Sequence, residues 1–210
     1  MPARGPFPRK STHRPFRKDP ATLGVIDAAY RLQKAGSLQQ AEILYRRVLV
    51  AEPGNPFALC ALGTIALHHG RMEDATGFLG QALAQGYDHD TVYTHLGIAL
   101  QALGRNQDAL DVYRKGLHRH PKNPGYLSNI AVILAHQGRP EEALAEAEKA
   151  ISIDERFTSA FINAGFFLQT LGRLPEAAQR FERALSLEPD NATVKDALLA
   201  IKHRLALESH

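Results

Sequence analysis

The sequence predicts an all-α protein, an α-solenoid of five helix-turn-helix units closed at its C-terminal end by a capping helix. Three columns of residues carry that prediction. Gly36, Gly70, Gly104, Gly138 and Gly172 stand 34 residues apart, as do Ala41, Ala75, Ala109, Ala143 and Ala177, and as do Leu49, Leu83, Leu117, Ile151 and Leu185. Columns that hold one phase through five cycles without an insertion mark stacked supersecondary units, because a single hairpin cannot cover its own apolar face.

From the N-terminus, residues 1–20 read as a basic, Pro-rich disordered arm, with five prolines, six Lys or Arg against one Asp, and no helical run of apolar residues. The whole chain carries only +3, so most of its excess positive charge lies in this arm. Such a segment suits nucleic acid or an anionic membrane, through counterion release and Coulomb attraction. Pro6, Pro8, Arg9, Lys10 and Arg14 interrupt the apolar core that a secretory signal needs. No later stretch is apolar enough to span a bilayer. The lone Cys60 agrees with a reducing compartment, and the expected location is the cytoplasm.

The repeat domain covers 21–191, in units 22–55, 56–89, 90–123, 124–157 and 158–191. The first half of each unit carries one apolar stripe at helical spacing, as in Leu127, Ile130, Ala131 and Leu134. The repeated glycine ends that helix, because it can take the left-handed conformation of a C-terminal turn. Pro140 and Pro175 sit in the first turn of second helices, where a missing N–H costs nothing, and Asp74, Asp108, Glu142 and Glu176 favour the positive end of the dipole. Pro53, Pro121 and Pro189 stop second helices. Gly63, Gly97 and Gly165 are expected to face the alanine column and let paired backbones approach. Residues 192–207 form the capping helix, with Asn191 at its start and Val194, Leu198, Ile201 and Leu205 turned inward.

These units resemble tetratricopeptide repeats. The best example is Phe161 to Pro189, which keeps an aromatic, Gly, Leu, Gly, Ala, aromatic, Ala and Pro at the family's positions. Two units depart from the pattern. In the second, Leu79 replaces the second-helix aromatic, Tyr87 replaces the closing proline, and Gly77 and Gly80 each cost that helix about 1 kcal/mol relative to Ala. In the fourth, Ala147 and Glu155 take the aromatic and proline places.

The resemblance implies a right-handed solenoid whose first helices line a concave groove, and a non-catalytic scaffold or adaptor that binds a protein or peptide there. It places Tyr30, Phe57, His95, Ile98, Asn129, Val132, Ile162, Asn163 and Phe166 on the groove, with charge only at Asp27 and Lys34. The cations of the chaperone-binding clamp are missing, Ile26, Tyr30, Ala61, Thr91 and His95 standing in their places. Asn129 and Asn163 share one position in consecutive units and resemble an asparagine ladder. A carboxamide there can donate to a peptide C=O and accept from a peptide N–H. Ile162, Phe166 and Val132 would add apolar pockets. Two other roles are compatible with the residues: an electrostatic tether through the basic arm, and a regulatory or substrate-reading subunit of a separate enzyme.

No catalytic constellation accompanies the repeats. His68 and His69 are adjacent and diverge on a helix, and His118 and His120 do not share a face, so no zinc-ligand pattern arises. His118 and His120 are expected to favour the dipole of a helix end. No phosphate loop, nucleophile elbow or Cys-His pair occurs, and Glu141, Glu142, Glu146 and Glu148 read as a solvated helix face. Neither metal nor cofactor is expected.

Overall fold

The structure, a computed structural model, describes residues 20–208. The basic arm expected over 1–20 lies outside the described residues except for Pro20, which opens the first helix. Eleven helices and no strand occur among the described residues: α1 (Pro20–Lys34), α2 (Leu38–Ala51), α3 (Pro56–His68), α4 (Met72–Ala84), α5 (Asp90–Ala102), α6 (Asn106–Arg119), α7 (Pro124–His136), α8 (Pro140–Ile153), α9 (Thr158–Thr170), α10 (Leu174–Leu187) and α11 (Ala192–Glu208). None of them is long and apolar enough to cross a membrane.

Consecutive helices pair as hairpins, each hairpin packs on the next, and α11 packs on α10. The turn inside each hairpin is made by the glycine column, whose φ angles lie between 72° and 78° at Gly36, Gly70, Gly104, Gly138 and Gly172. A side chain in that conformation would clash with its own backbone. First helices also touch one another, α3 with α5, α5 with α7 and α7 with α9, and so form a continuous wall. Direct backbone contact is sparser between α1 and α3, which meet through side chains such as Tyr30 and Phe57.

The helix starts show a second column that the sequence reading credited only at Asn191. The Asn55 side chain accepts from the Ala58 N–H at 3.0 Å, that of Asn123 from Gly125 at 2.9 Å, and that of Asn191 from Val194 at 3.2 Å. At the corresponding place before α5, His89 Nδ1 accepts from the Thr91 N–H at 3.2 Å. Each satisfies a backbone donor that the first turn of a helix leaves open. The acids at second-helix starts do more than meet the dipole. Arg105, Arg139 and Arg173 hold Asp108, Glu142 and Glu176 through Nε at 2.6 to 2.7 Å. Arg71 pairs more loosely with Asp74, at 3.6 Å, and reaches back to Glu42 of the preceding hairpin at 2.7 Å.

The small residues of the first helices make room for large ones on the second. A Cβ on Gly63 would lie 2.5 Å from Leu79, on Gly97 2.3 Å from the Tyr113 ring, and on Gly165 2.5 Å from the Phe181 ring. These glycines therefore receive the large side chain of the partner helix, Leu79, Tyr113 or Phe181, as their nearest neighbour. A further close approach joins successive hairpins: Gly116 of α6 lies under the Tyr126 ring of α7, where a Cβ would meet Cζ at 2.8 Å. The Tyr126 hydroxyl donates to the Asp90 carboxylate at 2.7 Å.

One buried cluster runs from Leu59 to Ile201 and contains Tyr93, Tyr113, Tyr126 and Phe181. The N-terminal hairpin builds a separate cluster of Ala29, Ala41, Tyr45 and Val48 on Ala58, Leu62 and Ile65 of α3. Leu49 and Phe78 pack against both. At the other end Val194, Leu198 and Ile201 of α11 are buried in the main cluster, while Leu199 and Leu207 on its outer side are exposed.

Candidate functional site

The wall of first helices carries the nine residues expected to line a groove, and the structure separates them into two sets. Tyr30 and Phe57 come together at the N-terminal end, their ring centroids 6.4 Å apart in an edge-to-face arrangement. They border a cleft of 710 Å³ between α1, α3 and the α4–α5 junction. The other seven lie along α5, α7 and α9. This cleft belongs to the first three units.

The lining of the cleft is aromatic and nearly uncharged. Tyr30 and Lys34 come from α1, Phe57, Cys60, Ala61, Thr64, Ile65 and His68 from α3, and Tyr87, His89 and Thr91 from the α4–α5 junction. Lys34 Nζ sits 5.6 Å from the centre of the Tyr30 ring, a cation–π contact, and makes no ion pair among the described residues. No Asp or Glu belongs to the lining. The Cys60 thiol is pushed up to about 11 by burial, so it is a packing group rather than a nucleophile.

Tyr87 and His89 were not foreseen as site residues, although the aromatic in the place of a closing proline was the available signal. Gly86, at φ 80°, ends α4 and turns the chain so that these two rings stack, 5.8 Å apart and 13° from parallel. Between them Asp88 anchors the loop from behind. Its carboxylate accepts from Arg119 Nε at 2.6 Å, from the Tyr93 hydroxyl at 3.1 Å and from His120 Nε2 at 3.1 Å. The Arg119 guanidinium, helped by those two donors, holds its pKa below the usual carboxylate value. His120 thus pairs with an acid of the preceding junction, where the sequence reading assigned it to its own helix end.

Further along the wall the polar residues bridge hairpins. Thr64 Oγ1 donates to the Cys60 carbonyl at 3.0 Å, so it accepts from His95 Nδ1–H at 3.0 Å. That bond places the ring proton of neutral His95 on Nδ1, and burial lowers the pKa of the imidazole and keeps it neutral. Asn163 Nδ2 donates to Ser128 Oγ at 2.9 Å, across the α7–α9 boundary. The Asn129 side chain makes no hydrogen bond among the described residues. The two amides of the expected ladder are therefore not equivalent: one is free, and the other offers mainly its carbonyl oxygen. Phe166 packs edge-to-face on Phe181 of its own hairpin at 5.0 Å, Ile162 and Val132 are half-buried, and Ile98 is exposed. No group of three or more potential metal ligands lies together among the described residues.

Comparison with known proteins bears on fold and family. The sequence matches the Tetratricopeptide repeat family over residues 26–90 and 94–156, and again over 158–183. No curated protein matches the chain in sequence. Among solved structures it is similar to YrrB, described as a TPR protein with an unusual peptide-binding site, at 22% identity and a TM-score of 0.68, over 86% of this chain and 92% of that one. It is also similar to MamA, at 24% identity and 0.69 over 79% and 96% of the two chains. A thermophilic TPR protein of Thermus thermophilus, TTC0263, matches at 20% identity and 0.67 over 86% and 98%. A glycine-turned hairpin repeated at 34 residues, matched by the family's own pattern over most of its length, makes this chain a member of the tetratricopeptide-repeat family.

Proposed function

We propose that the chain is a non-catalytic adaptor that binds an extended segment of a partner protein along its wall of first helices. The observation that carries this reading is the 710 Å³ cleft walled by Tyr30, Phe57 and Tyr87, which continues into a wall whose polar groups are amides and imidazoles rather than charges. Apolar cavities with a few fixed polar groups are the usual form of a recognition site. An extended peptide needs backbone partners as well as pockets. Asn129, with both its carbonyl and its amine uncommitted, and the carbonyl of Asn163 supply them one hairpin apart. YrrB, which shares this backbone, is described by its peptide-binding site, and that description supports the reading.

The test is selection of a displayed random-peptide library on the immobilised chain, followed by affinity measurement on the enriched peptides. A shared motif is expected, and Asn129→Ala combined with Asn163→Ala should weaken its binding about tenfold, or roughly 1.4 kcal/mol. Affinities unchanged by the pair would remove the amides from the site. A library that yields no binder would overturn the adaptor reading.

A further inference from the structure

We propose that the N-terminal cleft sets the specificity of the groove by taking a segment of another protein in which a bulky apolar side chain stands beside an aspartate or glutamate. This rests on the reading of the first-helix wall as a peptide-binding face, and adds to it the place and the chemistry of recognition.

The lining supplies the apolar half of the recognition. Three rings, Tyr30, Phe57 and Tyr87, arrive from three different elements and meet Ile65, Leu38 and Ala61 around one space. Tyr30 is 46% exposed, and its ring covers no core of its own, so a large apolar group entering the cleft would bury surface now in water.

Uncommitted donors supply the preference for an acid. Lys34 has no carboxylate partner, and the lining contains no acid to compete for it. His89 adds a second donor: its Nδ1 accepts from the Thr91 N–H, which leaves the ring proton of the neutral imidazole on Nε2. Among the remaining polar groups of the lining, Gln33 Oε1 is engaged by the Tyr45 hydroxyl at 2.9 Å and the Thr64 hydroxyl by Cys60 and His95, while His68 and the Tyr30 and Tyr87 hydroxyls add no anion. An apolar space that offers a cation and an N–H but no anion favours a carboxylate and repels a lysine or arginine.

The experiment uses the full chain and three short, C-terminally amidated, fluorescent peptides with one Leu-Phe core, flanked by Glu, Gln or Lys, read by fluorescence anisotropy. The Glu-flanked peptide is expected to bind about tenfold or more tighter than the Lys-flanked one, with the gap narrowing as salt is added. Lys34→Glu should reverse that order. Tyr30→Ala should weaken all three peptides, and both substitutions fall on exposed side chains, so circular dichroism should be unchanged. Asn129→Ala with Asn163→Ala should leave these short peptides unaffected. Equal or tighter binding of the Lys-flanked peptide, or an order indifferent to Lys34→Glu, would overturn the proposal. If library-selected peptides bind and respond only to the asparagine pair, the groove stands and the cleft is not its specificity site.

Discussion

Glu42 receives two arginines from two sides, Arg46 of its own helix at 2.8 Å and Arg71 of the next hairpin at 2.7 Å, while its side chain is only 16% exposed. The Arg71 bond is the larger cause of a pKa lowered from the ordinary 4.5, with burial opposing it and Arg46 adding to it. A carboxylate whose folded pKa is depressed contributes stability that is whole above the ordinary value and is lost as the pH falls through the lowered one. Glu42→Gln should therefore cost about 1 kcal/mol near pH 7, a modest figure because Arg71 is partly in water. Urea unfolding at about pH 7 and about pH 3 checks this, and the gap between variant and wild type should close at the acid end. At this scale the sequence was only partly legible. Periodicity said which face His95 and Asn163 share, but their partners Thr64 and Ser128 sit in the preceding hairpin at two different repeat positions. Which pair meets depends on rotamers and on the offset of adjacent helices, which no 34-residue column records.

The second helix of the second hairpin, α4, is the weakest element by composition and the shortest of its kind, 13 residues against 14 in α2, α6, α8 and α10. Gly77 and Gly80 cost it helix propensity and give no packing in return, since a Cβ at either would meet nothing within 4 Å. Gly77→Ala and Gly80→Ala should each stabilise the chain by up to about 1 kcal/mol. Hydrogen exchange provides the companion measurement: α4 amides in the wild type should exchange faster than those of α6, and the two substitutions should slow them. The weakness was readable from the glycines. The stop was not, because the missing proline drew attention to Tyr87 and away from Gly86, which closes the helix with Gly86 N–H donating to Leu83 at 2.9 Å and Tyr87 N–H to Ala82 at 3.0 Å. That exchange of one terminator for another turns Tyr87 and His89 into the cleft, a consequence visible only once the turn is built.

For the whole molecule, stability passes between neighbouring hairpins, so the ends matter more than their share of residues. Removal of residues 192–210 would uncover the surface that Val194, Leu198 and Ile201 now close. The truncated chain should melt roughly 5 °C or more lower, by differential scanning calorimetry, and should self-associate in light scattering through the apolar face left open. The solenoid was legible because its signal is written five times over in the same phase. The cleft was less so, because α1, α3 and the α4–α5 junction build it jointly, and a repeat pattern does not record how side chains from three units meet.

Repetition also suggests that hairpins could be shuffled, duplicated or deleted like interchangeable links. The Gly116–Tyr126 contact says otherwise at one seam. The places equivalent to Tyr126 hold Ala58, Val92, Ala160 and Val194, and those equivalent to Gly116 hold Val48, Ala82, Ala150 and Ala184. Only here is the large ring matched by a missing side chain. A duplication or excision that parted this pair would set the ring against a methyl or larger group, or leave a hollow beneath the glycine. The third and fourth hairpins are thus fitted to each other, and moving either one alone beside a different neighbour would break the fit at this junction.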